Sequence, residues 1–294
     1  MILLDGLKVS GEIHKNLKPR INKLKEKNSI PKLSILLIGD NEDSLIYINM
    51  KMKSCNELGI FYELNHYDKD ISETIIIEKI NQLNEDDKIH GILVQLPIPE
   101  HLNRGKILDT ISYKKDVDGF HTINAGKLFQ NREYKLVPCT PRGCLELLDY
   151  YEIDVKSMNI VIIGCSNLVG LPLSIILLQR GATVIICHKE TKNTKELAQQ
   201  ADMIVTCCGV PYLVKEDWVK RDTIIIDIGI NTIEDKSKKK GYRVVGDVDF
   251  EKVKDKCRYI TPVPGGVGPM TVSILMKQLV EISEIKLQDK YLKK

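Results

Sequence analysis

The stretch NIVIIGCSNLVG, residues 159–170, decides the fold class of this chain. Its apolar run predicts a buried strand, Gly164 permits a tight turn, and Gly170 permits the following helix to lie close to the sheet. Main-chain N–H groups at the start of such a helix are suited to binding a pyrophosphate. Ser166 stands where the dinucleotide fingerprint has its middle glycine. The spacing alone therefore leaves both nucleotide binding and an ordinary βα turn open.

Apolar strands alternate with helical segments on both sides of this stretch. Further strands are predicted at residues 32–38 (KLSILLI), 61–67 (FYELNHY), 89–96 (IHGILVQL), 182–187 (ATVIIC), 201–209 (ADMIVTCCG) and 223–229 (TIIIDIG). Strands that alternate with helices indicate βαβ units, and continuous apolar strands are those covered on both faces of a parallel sheet. The sequence therefore predicts an α/β fold.

The length of 294 residues suits about two domains. We expect an N-terminal α/β catalytic domain over residues 1–140, completed by residues 271–294, and a Rossmann-type parallel-sheet nucleotide domain over residues 141–270. The C-terminal helix is expected to pack back on the first domain. Residues 116–138 are predicted to be rich in loops.

The composition gives no sign of an unusual partner. The net charge is +3 with both signs interspersed, which is too small to indicate nucleic-acid or membrane binding. The eight cysteines form no CxxC pair, and the sequence shows neither a secretory signal nor a long apolar run. We therefore expect a cytoplasmic protein with reduced thiols and no bound metal.

A second informative stretch is TPVPGGVGPMT, residues 261–271, which holds three prolines and three glycines. Proline fixes φ and glycine lets main chain approach main chain, so the run predicts a rigid, shaped loop before a helix that starts near Met270 or Val272. Open α/β sheets bind ligands at such strand ends. A sharp turn between domains would have the same composition, so both interpretations remain open.

Ser44, Tyr47 and Lys51 share one face of a predicted helix, which Asp43 or Ser44 is expected to cap. Apolar residues one and two turns later fall on a similar side, so this face is predicted to turn inward. A partly desolvated lysine there is suited to proton transfer. A tyrosine one turn from a lysine is also common on exposed helix faces.

Two polar features follow the strand that ends near Gln95. A glutamine in a buried strand needs a hydrogen-bond partner, which would be a lysine ammonium or a ligand. Asp116 and Asp118 flank Val117 before Gly119. Such a pair fits metal binding, acid/base chemistry, a carboxylate that accepts two N–H bonds from an aminopyrimidine, or a plain turn.

The strand at residues 182–187 is followed by His188, Lys189 and Glu190. An acidic residue directly at this strand end would favour NAD through the ribose hydroxyls, whereas Lys189 is placed to meet a 2′-phosphate. Glu190 leaves the choice open, and a solvated loop pair is the alternative.

Eight separate stretches resemble one family, in the same order along the chain. They are SLIYINMK (44–51), VQLPIP (94–99), KDVDGFHTINAGKL (115–128), PCTPRG (138–143), GCSNLVGLP (164–172), DIGIN (227–231), GDVDF (246–250) and PGGVGPMT (264–271). Over essentially its whole length the chain resembles the FolD family of bifunctional methylenetetrahydrofolate dehydrogenase/methenyltetrahydrofolate cyclohydrolases. The resemblance implies a folate-binding catalytic domain, a Rossmann domain, a cleft between them and a homodimer.

The activity implied by the resemblance belongs to one-carbon metabolism and supplies purine biosynthesis. A nicotinamide cofactor, NADP in most of the family, takes a hydride from 5,10-methylenetetrahydrofolate, and water then opens the methenyl compound to 10-formyltetrahydrofolate. Neither step requires a metal. Tetrahydrofolate derivatives are thus the expected small-molecule partners.

The resemblance also implies roles for individual residues. Lys51 matches the catalytic lysine, Tyr47 accompanies it in the same YxxxK element, Gln95 supports the lysine, and Asp118 holds the pterin. The implied substrate contacts add Ser44, Tyr47, Pro264, Gly265 and Gly266. The implied cofactor contacts are Gly164, Cys165, Ser166, Gly170, His188, Lys189, Cys208, Gly209, Ile230 and Thr271.

One position departs from the family pattern. The family usually reads GRSxxVGxP, and its arginine helps to hold the 2′-phosphate of NADP, whereas this chain has Cys165. The change removes a charge-assisted contact of a kind worth about 1.5–3 kcal/mol. We therefore predict a weakened preference for NADP and possible use of NAD. Two alternatives stand beside this interpretation: another two-domain NADP dehydrogenase of the shikimate type, and a non-catalytic folate- or nucleotide-binding regulator.

Overall fold

A computed structural model describes residues 1–132, 136–238 and 241–292, with the side chain of residue 291 left out of the description. The strands are β1 Ile2–Leu3, β2 Lys32–Ile38, β3 Phe61–Tyr67, β4 Gly91–Val94, β5 Asn159–Ile163, β6 Thr183–Cys187, β7 Met203–Thr206, β8 Thr223–Asp227, β9 Asn231–Glu234, β10 Tyr242–Val245 and β11 Cys257–Ile260. The α-helices are α1 Gly6–Glu26, α2 Glu42–Leu58, α3 Glu73–Glu85, α4 Arg104–Thr110, α5 Thr122–Phe129, α6 Cys139–Tyr150, α7 Gly170–Gln179, α8 Thr194–Gln200, α9 Phe250–Val253 and α10 Val267–Leu292. None of the helices in these described ranges is long and apolar enough to cross a membrane.

The chain forms two compact units. One unit contains Met1–Ser10 and Thr140–Thr271, and the other contains Gly11–Cys139 and Val272–Lys294. We call the first the nucleotide unit and the second the catalytic unit, after the domains expected from the sequence. The prediction placed residues 1–10 with the catalytic domain, but they fall in the nucleotide unit.

The N-terminal residues join the nucleotide unit through main-chain pairing. Strand β1 lies parallel to β11, and the N–H of Leu4 donates to the carbonyl of Ile260 at 2.8 Å. A strand of two residues leaves almost no periodic signal, so the sequence alone did not indicate this pairing.

The nucleotide unit is built on a parallel sheet. Its six strands have the order β1-β11-β8-β7-β5-β6, and each neighbouring pair is parallel. The chain leaves β5, adds β6 on one side and then β7 on the other. This reversal beside β5 is the topological switch point at which doubly wound sheets bind ligands. The predicted Rossmann-type α/β architecture is confirmed.

The catalytic unit has a smaller parallel sheet of order β3-β2-β4. Its strand β2 is buried from Leu33 to Ile38, as its continuous apolar sequence predicted. Helix α10 packs back on this unit, as expected: Arg20 of α1 donates two hydrogen bonds, of 2.9 and 2.6 Å, to the carboxylate of Glu284. The amide of the buried Gln278 donates to the carbonyl of Val117 at 2.7 Å.

Several element boundaries differ from the prediction. The cap of α2 is Asn41, whose Oδ1 accepts from the N–H of Ser44 at 3.0 Å, and not Asp43 or Ser44. Helix α10 begins at Val267, earlier than predicted, because a proline is tolerated in the first turn, where its missing N–H has no intrahelical partner. Strand β4 covers only Gly91–Val94, and Gln95 follows it.

The region 116–138 contains one helix that the sequence did not predict. This helix, α5, begins after His121, whose Nδ1 accepts from the N–H of Ile123 at 2.9 Å. Histidine is not one of the usual N-cap residues, so the start signal was missing. Residues 133–135 of the same region lie outside the described residues.

Candidate functional site

Lys51 and Gln95 form a buried pair in the catalytic unit. They are only 7% and 8% exposed, and Lys51 Nζ donates to Gln95 Oε1 at 2.8 Å. Gln95 Nε2 donates to the carbonyl of Leu96 at 2.8 Å, which turns the amide so that its oxygen faces the ammonium. Of the two partners that the sequence allowed for Gln95, the structure shows the lysine.

The face of α2 that carries Lys51 turns inward, as predicted. Ser44 is also buried on this face, and its hydroxyl donates to the carbonyl of Leu96 at 3.4 Å. Tyr47 lies between the two and is only partly buried. Burial, and then the charge of Asp43, raise the pKa of the Tyr47 hydroxyl, so this group remains protonated at neutral pH.

The two aspartates of KDVDGF have different surroundings. The carboxylate of Asp116 is buried and accepts from the N–H groups of Gly119 and His121, at 3.1 and 2.9 Å, and from Asn124 Nδ2 at 2.9 Å. These hydrogen bonds stabilise the turn that contains Asp118. Asp116 thus fits the turn interpretation, whereas the carboxyl of Asp118 has a side-chain hydrogen bond with Cys139.

The carboxyl of Asp118 lies in the electrostatic field of Lys51. Burial raises the pKa of Asp118, the ammonium of Lys51 lowers it, and Asp116 raises it further. Because burial is the larger effect, the pKa lies above the ordinary aspartate value. Within the ranges that the structure describes, no cluster of three or more His, Cys, Asp or Glu residues is arranged to hold a metal ion.

The glycine-rich turn of the nucleotide unit is tight. Gly164 has φ +127°, and a Cβ on Gly170 would lie 2.0 Å from the carbonyl oxygen of Gly164. Only glycine therefore lets α7 start against this turn. Ser166 Oγ accepts from the N–H of Val169 at 3.2 Å and completes the turn. The N–H of Leu171 in the first turn of α7 donates to the carbonyl of Ser166 at 3.1 Å.

Three residues were predicted to decide between NADP and NAD at the 2′-phosphate position: Cys165, His188 and Lys189. Cys165 is exposed, and Lys189, 90% exposed, lies 3.9 Å from the carboxylate of Glu190. The ring of His188 accepts from the N–H of Glu190 at 3.2 Å through Nδ1. Lys189 is thus accompanied by a carboxylate that competes with a phosphate for it.

The loop after β11 is held by the start of α1. Gly265 has φ +107°, and its carbonyl accepts from the N–H groups of Gly6 and Leu7 at 3.0 and 3.2 Å. The N–H of Gly266 donates to the carbonyl of Pro262 at 2.9 Å. These hydrogen bonds anchor the predicted loop, which lies in the nucleotide unit. Folate contact by Pro264, Gly265 and Gly266 stays a prediction.

The other predicted cofactor residues lie at ends of elements in the nucleotide unit. Cys208 and Gly209 follow β7, Ile230 precedes β9 with an exposed side chain, and Thr271 Oγ1 lies 3.0 Å from Thr140 Oγ1. Neither Asp227 nor Asp247 is a predicted site residue, although both are buried beside these loops. The available signal was an acidic residue at the end of an apolar strand, TIIID.

Comparison with known proteins identifies the family. The family model for the NAD(P)-binding domain of tetrahydrofolate dehydrogenase/cyclohydrolase matches residues 138–287, and the model for its catalytic domain matches residues 4–118. The chain belongs to the tetrahydrofolate dehydrogenase/cyclohydrolase family. Among its relatives, the bifunctional protein FolD of Campylobacter jejuni is 45% identical over 98% of this chain and 100% of the relative.

Solved structures of this family have the same fold. The crystal structure of FolD from Campylobacter jejuni matches with a TM-score of 0.93 at 44% identity, covering 97% of this chain and 99% of that one. The FolD of Trypanosoma brucei, complexed with NADP cofactor and an inhibitor, matches with a TM-score of 0.94 at 32% identity, covering 98% of both chains.

Proposed function

We propose that this chain oxidises 5,10-methylenetetrahydrofolate to 5,10-methenyltetrahydrofolate and hydrolyses the product to 10-formyltetrahydrofolate. Its membership of the family, with matches to both family domains, supports this proposal over a shikimate-type dehydrogenase or a non-catalytic regulator. The observation that carries it is the buried Lys51–Gln95 pair, whose Nζ–Oε1 distance is 2.8 Å.

Lys51 is the proposed acid/base group of the hydrolysis. Water adds to the methenyl carbon and loses one proton, which leaves a hydroxyl adduct. The hydroxyl then loses its proton as the formyl C=O bond forms, a ring C–N bond breaks, and the released nitrogen gains a proton. Lys51 Nζ is proposed to mediate these proton transfers. Gln95 holds Nζ in place, and Ser44 and Tyr47 extend the same face of α2 toward the substrate.

Asp118 is the proposed anchor of the pterin. Its carboxylate accepts two N–H bonds from the aminopyrimidine ring, which orients the one-carbon bridge toward Lys51. Pro264, Gly265 and Gly266 are proposed as main-chain substrate contacts, because their loop is rigid and carries no bulky side chain.

The nucleotide unit is proposed to hold NADP, which supplies the hydride acceptor when bound. The turn at Gly164 and Gly170 is proposed for the pyrophosphate, because it joins β5 to α7 at the switch point of the sheet. Further contacts are proposed from side chains and main chain of the adjoining loops: Cys165, Ser166, His188, Lys189, Cys208, Gly209, Ile230 and Thr271.

The first test measures both activities in Lys51→Ala. Removal of the proton-transfer group should lower the cyclohydrolase rate by about 10²–10⁴-fold, while the dehydrogenase, which depends mainly on positioning, falls less. Loss of methenyl absorbance reports the hydrolysis. Lys53→Ala, which removes an exposed lysine from the same helix, is the control and should retain both rates. Full hydrolysis in Lys51→Ala would contradict the assignment.

NAD is proposed as a second usable cofactor. Cys165 offers no positive charge to a 2′-phosphate, and Lys189 is shared with Glu190. The KM for NAD should therefore be only slightly higher than the KM for NADP. Cys165→Arg should increase the preference for NADP, measured as this ratio, by about 10- to 100-fold. A strong preference for NADP in the unaltered protein would refute this proposal.

We also propose a homodimer in the cytoplasm, as the family resemblance implies. All eight cysteines are free thiols, and most are buried, which suits a reducing compartment. Sedimentation equilibrium should give twice the mass of 33.4 kDa. A monomeric mass at micromolar concentration would contradict the dimer.

A further inference from the structure

Two buried carboxylates lie beside the loops of the nucleotide unit and have no part in the chemistry proposed above. Asp227 ends β8 and is 3% exposed, and Asp247 follows β10 and is 0% exposed. They belong to DIGIN and GDVDF, the two motifs to which no carboxylate function has been given. A buried carboxylate is costly unless it is hydrogen-bonded, so their partners indicate what they do.

Asp247 binds the loop that follows β7. Its Oδ2 accepts from the N–H groups of Cys208 and Gly209 at 2.8 and 3.1 Å, and from Cys208 Sγ at 3.3 Å. Burial, and then Asp247, raise the pKa of the Cys208 thiol to about 12, so the thiol stays protonated and donates. Three donors from two consecutive residues fix this loop onto one oxygen atom.

The second oxygen of Asp247 binds a different loop. Its Oδ1 accepts from Asn231 Nδ2 at 2.8 Å, and Asn231 directly follows Ile230. One carboxylate therefore joins Cys208, Gly209 and the side chain of Asn231. Cys208 and Gly209 are proposed cofactor contacts, and Asn231 is adjacent to a third, Ile230.

Asp227 holds Asp247 in turn. Asp227 Oδ1 accepts from the N–H of Asp247 at 3.1 Å and from Thr206 Oγ1 at 2.9 Å, and its Oδ2 accepts from the N–H of Val248 at 3.0 Å. Asp227 packs so closely against this turn that the residue before Asp247, Gly246, has no space for a side chain. A Cβ on Gly246 would lie 1.8 Å from Asp227 Oδ2.

Asp227 and Asp247 lie near the carboxyl ends of the strands, where parallel α/β sheets bind their ligands. Cys208 and Gly209 follow β7, and β7 pairs with β5 at the switch point, where Gly164 starts the predicted pyrophosphate turn. Cys207, next to Cys208, donates its N–H to the carbonyl of Ile163 at 2.8 Å. The loop fixed by Asp247 thus adjoins the turn expected to hold the nucleotide.

We infer that Asp247, held by Asp227, is a positioning residue that orders the Cys208–Gly209 loop and Asn231 for nicotinamide-nucleotide binding. This inference rests on the proposed function. It predicts that loss of Asp247 weakens NADP binding and spares the cyclohydrolase, because the proposed proton-transfer residue and pterin anchor lie in the catalytic unit and hydrolysis uses no nucleotide. A residue that served stability alone would lower both activities together.

The test compares both activities in Asp247→Asn. An amide of the same shape must turn its NH₂ group toward either the two main-chain N–H groups or the Asn231 amide, so one set loses its acceptor. The KM and Kd for NADP should rise by about tenfold, while cyclohydrolase kcat and KM stay within about twofold. Asp217→Asn, an exposed aspartate of the same unit, is the matched control and should change neither.

A second variant decides the outcome if Asp247→Asn does not fold. Asn231→Ala removes one donor from a partly exposed position and should raise the NADP KM by about threefold with hydrolysis retained. An unchanged NADP KM in a folded variant, or a proportional loss of both activities, would overturn the inference. If the unaltered protein proved to have no dehydrogenase activity, the proposed function would fail, and NADP Kd by calorimetry would still test Asp247 separately.

Discussion

At the scale of single residues, Asp116 and Asp118 show how neighbouring aspartates acquire different roles. Asp116 accepts hydrogen bonds from Gly119, His121 and Asn124, so its carboxylate is used within the protein. Asp118 interacts electrostatically with Lys51 and Asp116 and has a side-chain hydrogen bond with the Cys139 thiol. The sequence shows two aspartates two positions apart, and only the hydrogen-bond donors around each distinguish them.

The pKa of Asp118 predicts a pH dependence of folate binding. Burial raises this pKa, so as the pH falls the carboxylate is protonated earlier than an ordinary aspartate and loses its capacity to accept two N–H bonds. The KM for methylenetetrahydrofolate should therefore rise on the acid side, beginning above the usual aspartate pKa of about 3.9.

Steady-state kinetics across the acid range checks this prediction, with Asp118→Asn as the control. The variant should have a raised KM that does not respond to pH in this range, because an amide does not titrate. A wild-type KM that stayed flat from about pH 7 to pH 4 would contradict the prediction.

At the scale of elements, α7 depends on a residue with no side chain. The first turn of this helix touches the carbonyl of Gly164 through Gly170, and this contact places the helix start at the carboxyl end of β5.

Helix α2 shows the opposite case, because its placement depends on side chains. Its inward face follows from the spacing of Ser44, Lys51 and the apolar residues after them, and the predicted burial is confirmed.

Gly170→Ala should destabilise the nucleotide unit by about 1–3 kcal/mol and weaken NADP binding, because the added Cβ overlaps the Gly164 carbonyl. Gly126→Ala is the matched control, since that helical position has open space around its Cβ, and it should stabilise by about 0.5–1 kcal/mol. Denaturant unfolding and NADP titration measure both effects. Equal stability of the two variants would show that the contact at Gly170 is not tight.

At the scale of the whole molecule, both compact units are assembled from separate parts of the chain. The catalytic unit needs Val272–Lys294, and Gln278 from this segment donates to the carbonyl of Val117, the residue before Asp118. The nucleotide unit needs Met1–Ser10, which supplies β1 and the N–H groups that bind Gly265. The C-terminal segment could be assigned from its long helix, whereas the N-terminal one could not.

The sequence by itself determined the α/β class, the parallel strands, the glycine turn and the inward face that carries Lys51. These features depend on local periodicity and on backbone freedom, which are properties of neighbouring residues. Tertiary structure alone decided the partner of Gln95, the separate surroundings of Asp116 and Asp118, and the contacts of Asp227 and Asp247. Each of these depends on donors and acceptors that folding brings together from distant positions, and a buried carboxylate takes its role from those partners.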